Sequence, residues 1–218
     1  MNKYLAECIG TFALVFFGTG AMVIDTVHPN IGVLGIAIAF GAVVMAMIYS
    51  FGDTSGAHIN PAVTIGFAFA GRFEKKQVAP YIIAQILGAV AASYILKFLF
   101  PDQLLYGNTL PSDGWLQSFI LEFILTFILM FVILNVSTGS KEKGITAALA
   151  VGGVVAFEAT FAGPICGASM NPARSIAPAI FSGDLTHLWL YVVATILGAI
   201  LAVYSCKLVQ VKECCDNC

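Results

Sequence analysis

Five uncharged, largely apolar stretches, residues 8–24, 31–52, 77–96, 123–140 and 185–206, approach or exceed the roughly 18–20 residues that cross a hydrocarbon core. A soluble globule has nowhere to put so many of them. Of the 218 residues, 59% are apolar and 10% are charged, whereas a soluble domain carries about 45–50% apolar residues and about a quarter charged. Disorder, nucleic-acid binding and a cytosolic metabolic enzyme are excluded on this ground. A formal net charge of −2 with no basic patch names no charged partner. The chain is read as an all-α membrane protein whose first partner is the lipid bilayer.

The polar punctuation divides the chain into six spans, over residues 4–27, 31–50, 78–100, 115–136, 145–161 and 188–209. Two further apolar runs, 62–70 and 173–181, are too short to cross and read as re-entrant half-spans. The basic residues test this layout independently. If both short runs return to their own side, Lys3, Arg72, Lys75, Lys76, Lys141, Lys143, Lys207 and Lys212 fall on one face, and Lys97 alone falls on the other. Arg174 lies inside the second short run. Such a bias places the first face, with both termini, in the cytoplasm. The N-terminal run lacks a small-residue cleavage site and contains Glu7, so it reads as a retained span. Cys8, Cys166 and Cys206 are scattered singly, and Cys214, Cys215 and Cys218 have no His nearby; neither a disulfide framework nor a metal site is expected, and no cofactor is.

The two halves echo one another. Ala6-Glu7-Cys8-Ile9-Gly10-Thr11 matches Leu121-Glu122-Phe123-Ile124-Leu125-Thr126, and Gln85-Ile86-Leu87-Gly88-Ala89 matches Thr195-Ile196-Leu197-Gly198-Ala199. Three spans per half, an odd number, require the second copy to enter the bilayer upside down. The expected organisation is a first inverted repeat over residues 1–110, a second over 111–210, and a cytoplasmic tail over 211–218. Inverted repeats interrupted at matching positions point to a transport site near the midplane.

Those interruptions are Asn60-Pro61-Ala62 and Asn171-Pro172-Ala173. Asn is a preferred N-cap and Pro suits the first helical position, so each pair starts a short helix. Two half-helices entering from opposite faces meet tip to tip in mid-membrane, each bringing about half a positive charge. Irregular backbone before each Asn is tolerated at that depth where it lines a wet path.

The segments His58-Ile59-Asn60-Pro61-Ala62-Val63-Thr64 and Ser169-Met170-Asn171-Pro172-Ala173-Arg174-Ser175 resemble the paired signature motifs of the aquaporin (major intrinsic protein) family. The resemblance covers nearly the whole chain. It implies six transmembrane helices plus two re-entrant half-helices around one pore per subunit, assembled as a homotetramer. It also implies an outer constriction formed here by Phe40, Ala159, Ala168 and Arg174. Strict water channels of the family carry His where Ala159 stands. Glycerol facilitators carry Asp after the filter Arg, where this chain has Ser175, and usually Trp in place of Phe40. Two alanines beside Phe40 imply a wider, less polar opening. The expected function is passive passage of water and small uncharged solutes such as glycerol, urea, ammonia or hydroxylated metalloids, without ions or protons.

Glu7 and Glu122 occupy matching positions, and buried carboxylates need donors; both read as braces for the re-entrant loops. His58 is expected at the cytoplasmic mouth. Cys166 is expected in the outer loop, where its thiol would face the pore and take a mercurial. Glu158 has three open readings: pairing with Arg174, pairing with Lys97, or facing the outer vestibule. A small secondary transporter and a strict water channel are the rival functions. An intramembrane enzyme is not supported, since Ser169, His58 and the glutamates show no catalytic spacing.

Overall fold

The computed structural model describes residues 2–137 and 141–209. Among these residues there are eight helices and no strand: α1 (Lys3–Val27), α2 (Gly32–Ser55), α3 (Pro61–Phe69), α4 (Lys75–Leu99), α5 (Trp115–Val136), α6 (Lys141–Cys166), α7 (Pro172–Ser182) and α8 (Leu188–Val209). Six are long and apolar enough to span a membrane. The other two, α3 and α7, have 9 and 11 residues, about 14 and 17 Å at 1.5 Å per residue, roughly half the hydrocarbon core. The fold is an all-α integral membrane protein. Lys212, Cys214, Cys215 and Cys218 lie outside the described residues.

Two helices run further than expected. The second continues five residues past 50 to Ser55 and ends on Gly56 at φ +83°. The fifth span, α6, passes through Gly163 and Pro164 to Cys166, where Gly167 at φ +83° donates its N–H to the Gly163 carbonyl at 3.0 Å. Helix breakers weigh less here than in water, because ending the helix early would leave more backbone polar groups unmet at membrane depth.

The long helices pack most extensively in three pairs: α1 with α4, α5 with α8, and α2 with α6. Small residues make each close approach possible, as is usual where packing rather than the hydrophobic effect draws helices together. A Cβ at Gly88 would collide with the Cys8 carbonyl, and one at Gly198 with the Phe123 carbonyl. Between α2 and α6, a Cβ at Gly41 would sit 2.5 Å from the Gly152 carbonyl, and one at Gly152 would sit 2.6 Å from that of Gly41. Large apolar side chains such as Phe17, Leu87, Tyr94, Phe157 and Phe161 remain exposed, as suits a lipid surrounding. The short helices are held crosswise: α3 packs mainly on α8, and α7 mainly on α4. Each half thus anchors the half-helix of the other.

Candidate functional site

Asn60 and Asn171 cap their helices as the sequence expects of Asn-Pro. Asn60 Oδ1 accepts the Ala62 N–H at 2.8 Å; Asn171 Oδ1 accepts those of Ala173 at 3.0 Å and Arg174 at 3.4 Å. The amide nitrogens make a second, reciprocal pair of bonds. Asn60 Nδ2 donates to the Met170 carbonyl at 2.8 Å, and Asn171 Nδ2 donates to the Ile59 carbonyl at 2.9 Å. The tips of α3 and α7 are therefore tied together across the interior. Each amide keeps a second N–H for another acceptor.

The chain leading to each tip is strained in the same way. Ala57 and Ile59 adopt φ +46° and +43°, and Ala168 and Met170 adopt +41° and +54°. Left-handed backbone at non-glycine residues costs on the order of 1–3 kcal/mol each and persists only where its surroundings hold it. Two buried carboxylates do so. Glu7 accepts the N–H groups of His58 at 2.9 Å and Ile59 at 2.7 Å. Glu122 accepts those of Ser169 at 2.7 Å and Met170 at 2.9 Å. Both side chains are fully buried.

A cavity of about 120 Å³ runs between these tips. Phe40, Ala159, Ala168 and Arg174 line it together, as do Asn60, Asn171, His58 and the backbone of both re-entrant loops. Its remaining wall is mostly apolar, with Leu14, Val44, Val63, Leu129, Val151 and Val155. Since Phe40 precedes Ile48 in α2 and Ala147 precedes Ala159 in α6, the antiparallel pair puts Phe40 and Ala159 towards one end. Ile48, Val136 and Ala147 stand at the other.

Arg174 is 1% exposed. Its Nη1 donates to the Gly107 carbonyl at 2.6 Å, its Nη2 to Met22 Sδ at 3.1 Å, and its guanidinium carbon lies 5.2 Å from the Phe40 ring centroid. Nε has no protein acceptor. His58 lies against Phe67, Phe73 and Tyr81, its ring 4.7 Å from that of Phe67, with Nδ1 3.2 Å from Thr64 Oγ1. Two expectations of placement need revision. Cys166 is fully buried in the last turn of α6 rather than in a loop, with Sγ donating to the Ala162 carbonyl at 3.5 Å, because that helix continues beyond its expected end. Glu158 follows none of its three readings: it is 1% exposed, and neither carboxyl oxygen has a partner among the described residues. Lys97 instead donates to the Phe181 carbonyl at 3.5 Å.

The site also uses residues that the sequence reading did not single out. Gln85 Nε2 bonds both Glu7 at 2.7 Å and Thr64 at 2.9 Å. Gly107 and Met22 orient Arg174 from the 101–113 loop and from α1. A polar Gln inside an apolar span was the available signal for the first. An ordinary Met and a loop Gly carry none.

Six spans, two half-helices joined at their tips and a lined interior path define a membrane channel rather than an enzyme. A family model described as Major intrinsic protein matches residues 1–205. The chain is 43% identical over 212 residues to Aquaporin NIP1-1 of Zea mays, covering 96% of this chain and 75% of that protein. It is 45% identical over 222 residues to Aquaporin NIP1-2 of Arabidopsis thaliana, covering 98% and 76%. An aquaglyceroporin from Plasmodium falciparum has a similar solved structure, with TM-score 0.82, 26% identity and coverage of 95% of this chain and 96% of that one. The chain belongs to the major intrinsic protein family and is a channel for water and small neutral solutes.

Proposed function

We propose that the path bounded by Phe40, Ala159, Ala168 and Arg174 admits water together with solutes the size of glycerol, urea, ammonia or hydroxylated metalloids, and turns away ions. The reading rests most on Ala159 and Ala168, which line the cavity together with Phe40 and Arg174 and whose small side chains leave width that a larger residue would remove. Selectivity for neutral molecules follows from pore width and lining donors. The relatives named as aquaporins and the neighbour named as an aquaglyceroporin are consistent with it.

Charge does the rest. Two helix tips contribute about +0.5 each, and Arg174 adds a full positive charge. A cation meets repulsion at both places, and an apolar wall gives any ion little in exchange for its hydration. Asn60 and Asn171, each with one amide hydrogen to spare, present donors to an oxygen at the midpoint. A water bonded to both turns its own hydrogens away, which interrupts a chain of waters able to pass protons. Glu7 and Glu122 brace the loops that hold this geometry, and His58 lines the cytoplasmic mouth.

The lysine and arginine bias supports cytoplasmic termini, and the plasma membrane is the proposed location. The exposed apolar faces fit a homotetramer. Proteoliposomes in a stopped-flow osmotic assay test the solute reading: shrinkage followed by re-swelling with glycerol and urea supports it, while shrinkage without re-swelling leaves a strict water channel. Flux that saturates or follows an ion gradient would instead favour the transporter.

A further inference from the structure

The two braces are unequal. Glu7 accepts four hydrogen bonds, two from the loop N–H groups, one from Ser55 Oγ at 2.7 Å and one from Gln85 Nε2 at 2.7 Å. In the second half, Cys166 stands where Ser55 does, five residues before its Asn, and Thr195 stands where Gln85 does, three residues before its Gly. The thiol is a weak donor shared between the Ala162 carbonyl and Glu122. The Thr195 hydroxyl is spent on the Tyr191 carbonyl at 2.6 Å. Beyond that thiol, Glu122 has the two loop N–H groups alone.

In the second half, both oxygens of Glu158 and the hydroxyls of Tyr191 and Ser118 have no partner among the described residues. Ser118 lies one turn before Glu122 on α5, and Tyr191 one turn before Thr195 on α8. Glu158 shares a stripe of α6 with Ala162 and Cys166 at four-residue spacing. Glu158 and Tyr191 both lie within electrostatic reach of Glu122. In the first half the position of Glu158, thirteen residues before the Asn, is filled by Met47, which needs no partner. The carboxyl thus appears only in the half whose brace lacks donors. A carboxyl buried without a cation or an N–H favours the neutral acid, which has an O–H to give.

We propose that Glu158 is a positioning residue for the filter loop, donating through one buried water shared with the Tyr191 hydroxyl to Glu122. A water bonded by these three groups would have three polar partners, enough to hold one. It replaces the donors that Ser55 and Gln85 supply in the first half. The proposal rests on the reading of Glu122 as a brace.

The test uses the full-length protein in detergent and in proteoliposomes, with Glu158→Gln, Glu158→Met, Glu158→Met/Thr195→Gln and Glu122→Leu. The amide of Glu158→Gln still donates, so it keeps wild-type water permeability while the infrared band of a buried protonated carboxyl disappears. Glu158→Met lowers the thermal midpoint and cuts permeability about tenfold, as expected when a buried acceptor loses its donor. Thr195→Gln restores both, since it reinstates the first-half arrangement. Wild-type stability and permeability in Glu158→Met overturn the proposal, as does a carboxyl band unchanged in Glu158→Gln. Normal conduction by Glu122→Leu overturns the brace reading itself; a defective Glu122→Leu with a normal Glu158→Met overturns the positioning role alone.

Discussion

The guanidinium of Arg174 lies over the ring of Phe40, its central carbon 5.2 Å from the ring centroid. A cation over an aromatic face gains about 0.5–2 kcal/mol, more as it is desolvated, and Arg174 is almost wholly buried. Phe40 therefore helps hold the Arg. Ala159 and Ala168 line the same cavity, and on the proposed reading they set the solute size.

Ala159→His is expected to reduce glycerol and urea permeability by about tenfold or more while leaving water flux measurable, since pore diameter sets which neutral solute fits. Re-swelling rates in proteoliposomes report this. Unchanged glycerol flux would place the constriction elsewhere.

Gly107 presents the carbonyl that holds Arg174 Nη1, and it does so at φ +76°, with a Cβ there only 2.6 Å from Thr19 Cβ. Gly107→Ala adds both a left-handed strain and a clash, so we expect a loss on the order of 1–3 kcal/mol. The thermal midpoint falls, and discrimination between urea and water shifts as Arg174 loses its anchor. A midpoint and selectivity equal to wild type would contradict the contact.

Glu7→Leu leaves the buried N–H groups of His58 and Ile59 without an acceptor and takes one acceptor each from Ser55 Oγ and Gln85 Nε2. Each unmet group costs roughly 1–3 kcal/mol, together a large share of a domain's stability. Recovery of folded protein from membranes is expected to collapse. Normal yield with normal flux would mean that the α3 loop does not depend on this carboxylate.

The Cys166 thiol is buried within the last turn of α6. Brief treatment with a mercurial should therefore inhibit wild type and Cys166→Ser to the same extent. Block that appears only with the thiol present would show that this end of α6 opens far more readily than its hydrogen bonds imply.

The spans and half-helices were legible because hydrophobic length and the Asn-Pro pair are local signals. The residue-level match between Glu7 and Glu122 was visible for the same reason. The ends of α2 and α6 were not, because Gly and Pro read as breakers by rules that hold in water. Nor were the cross-bonds from Asn60 to Met170 and from Asn171 to Ile59, which join residues 110 or more positions apart. Nothing local marks Met22 or Gly107 as partners of Arg174. Glu158 is a lone carboxyl within an apolar span, and its proposed task comes only from the donor count around Glu122.

The most direct test of two helix tips facing an uncharged aqueous thread is to measure osmotic water flux and proton flux on the same proteoliposomes, with a pH dye inside. Water permeability well above that of protein-free vesicles, with a weak temperature dependence and an undiminished pH gradient, is the predicted result. Fast collapse of the gradient through the protein, or water flux no greater than bare lipid, would contradict the account.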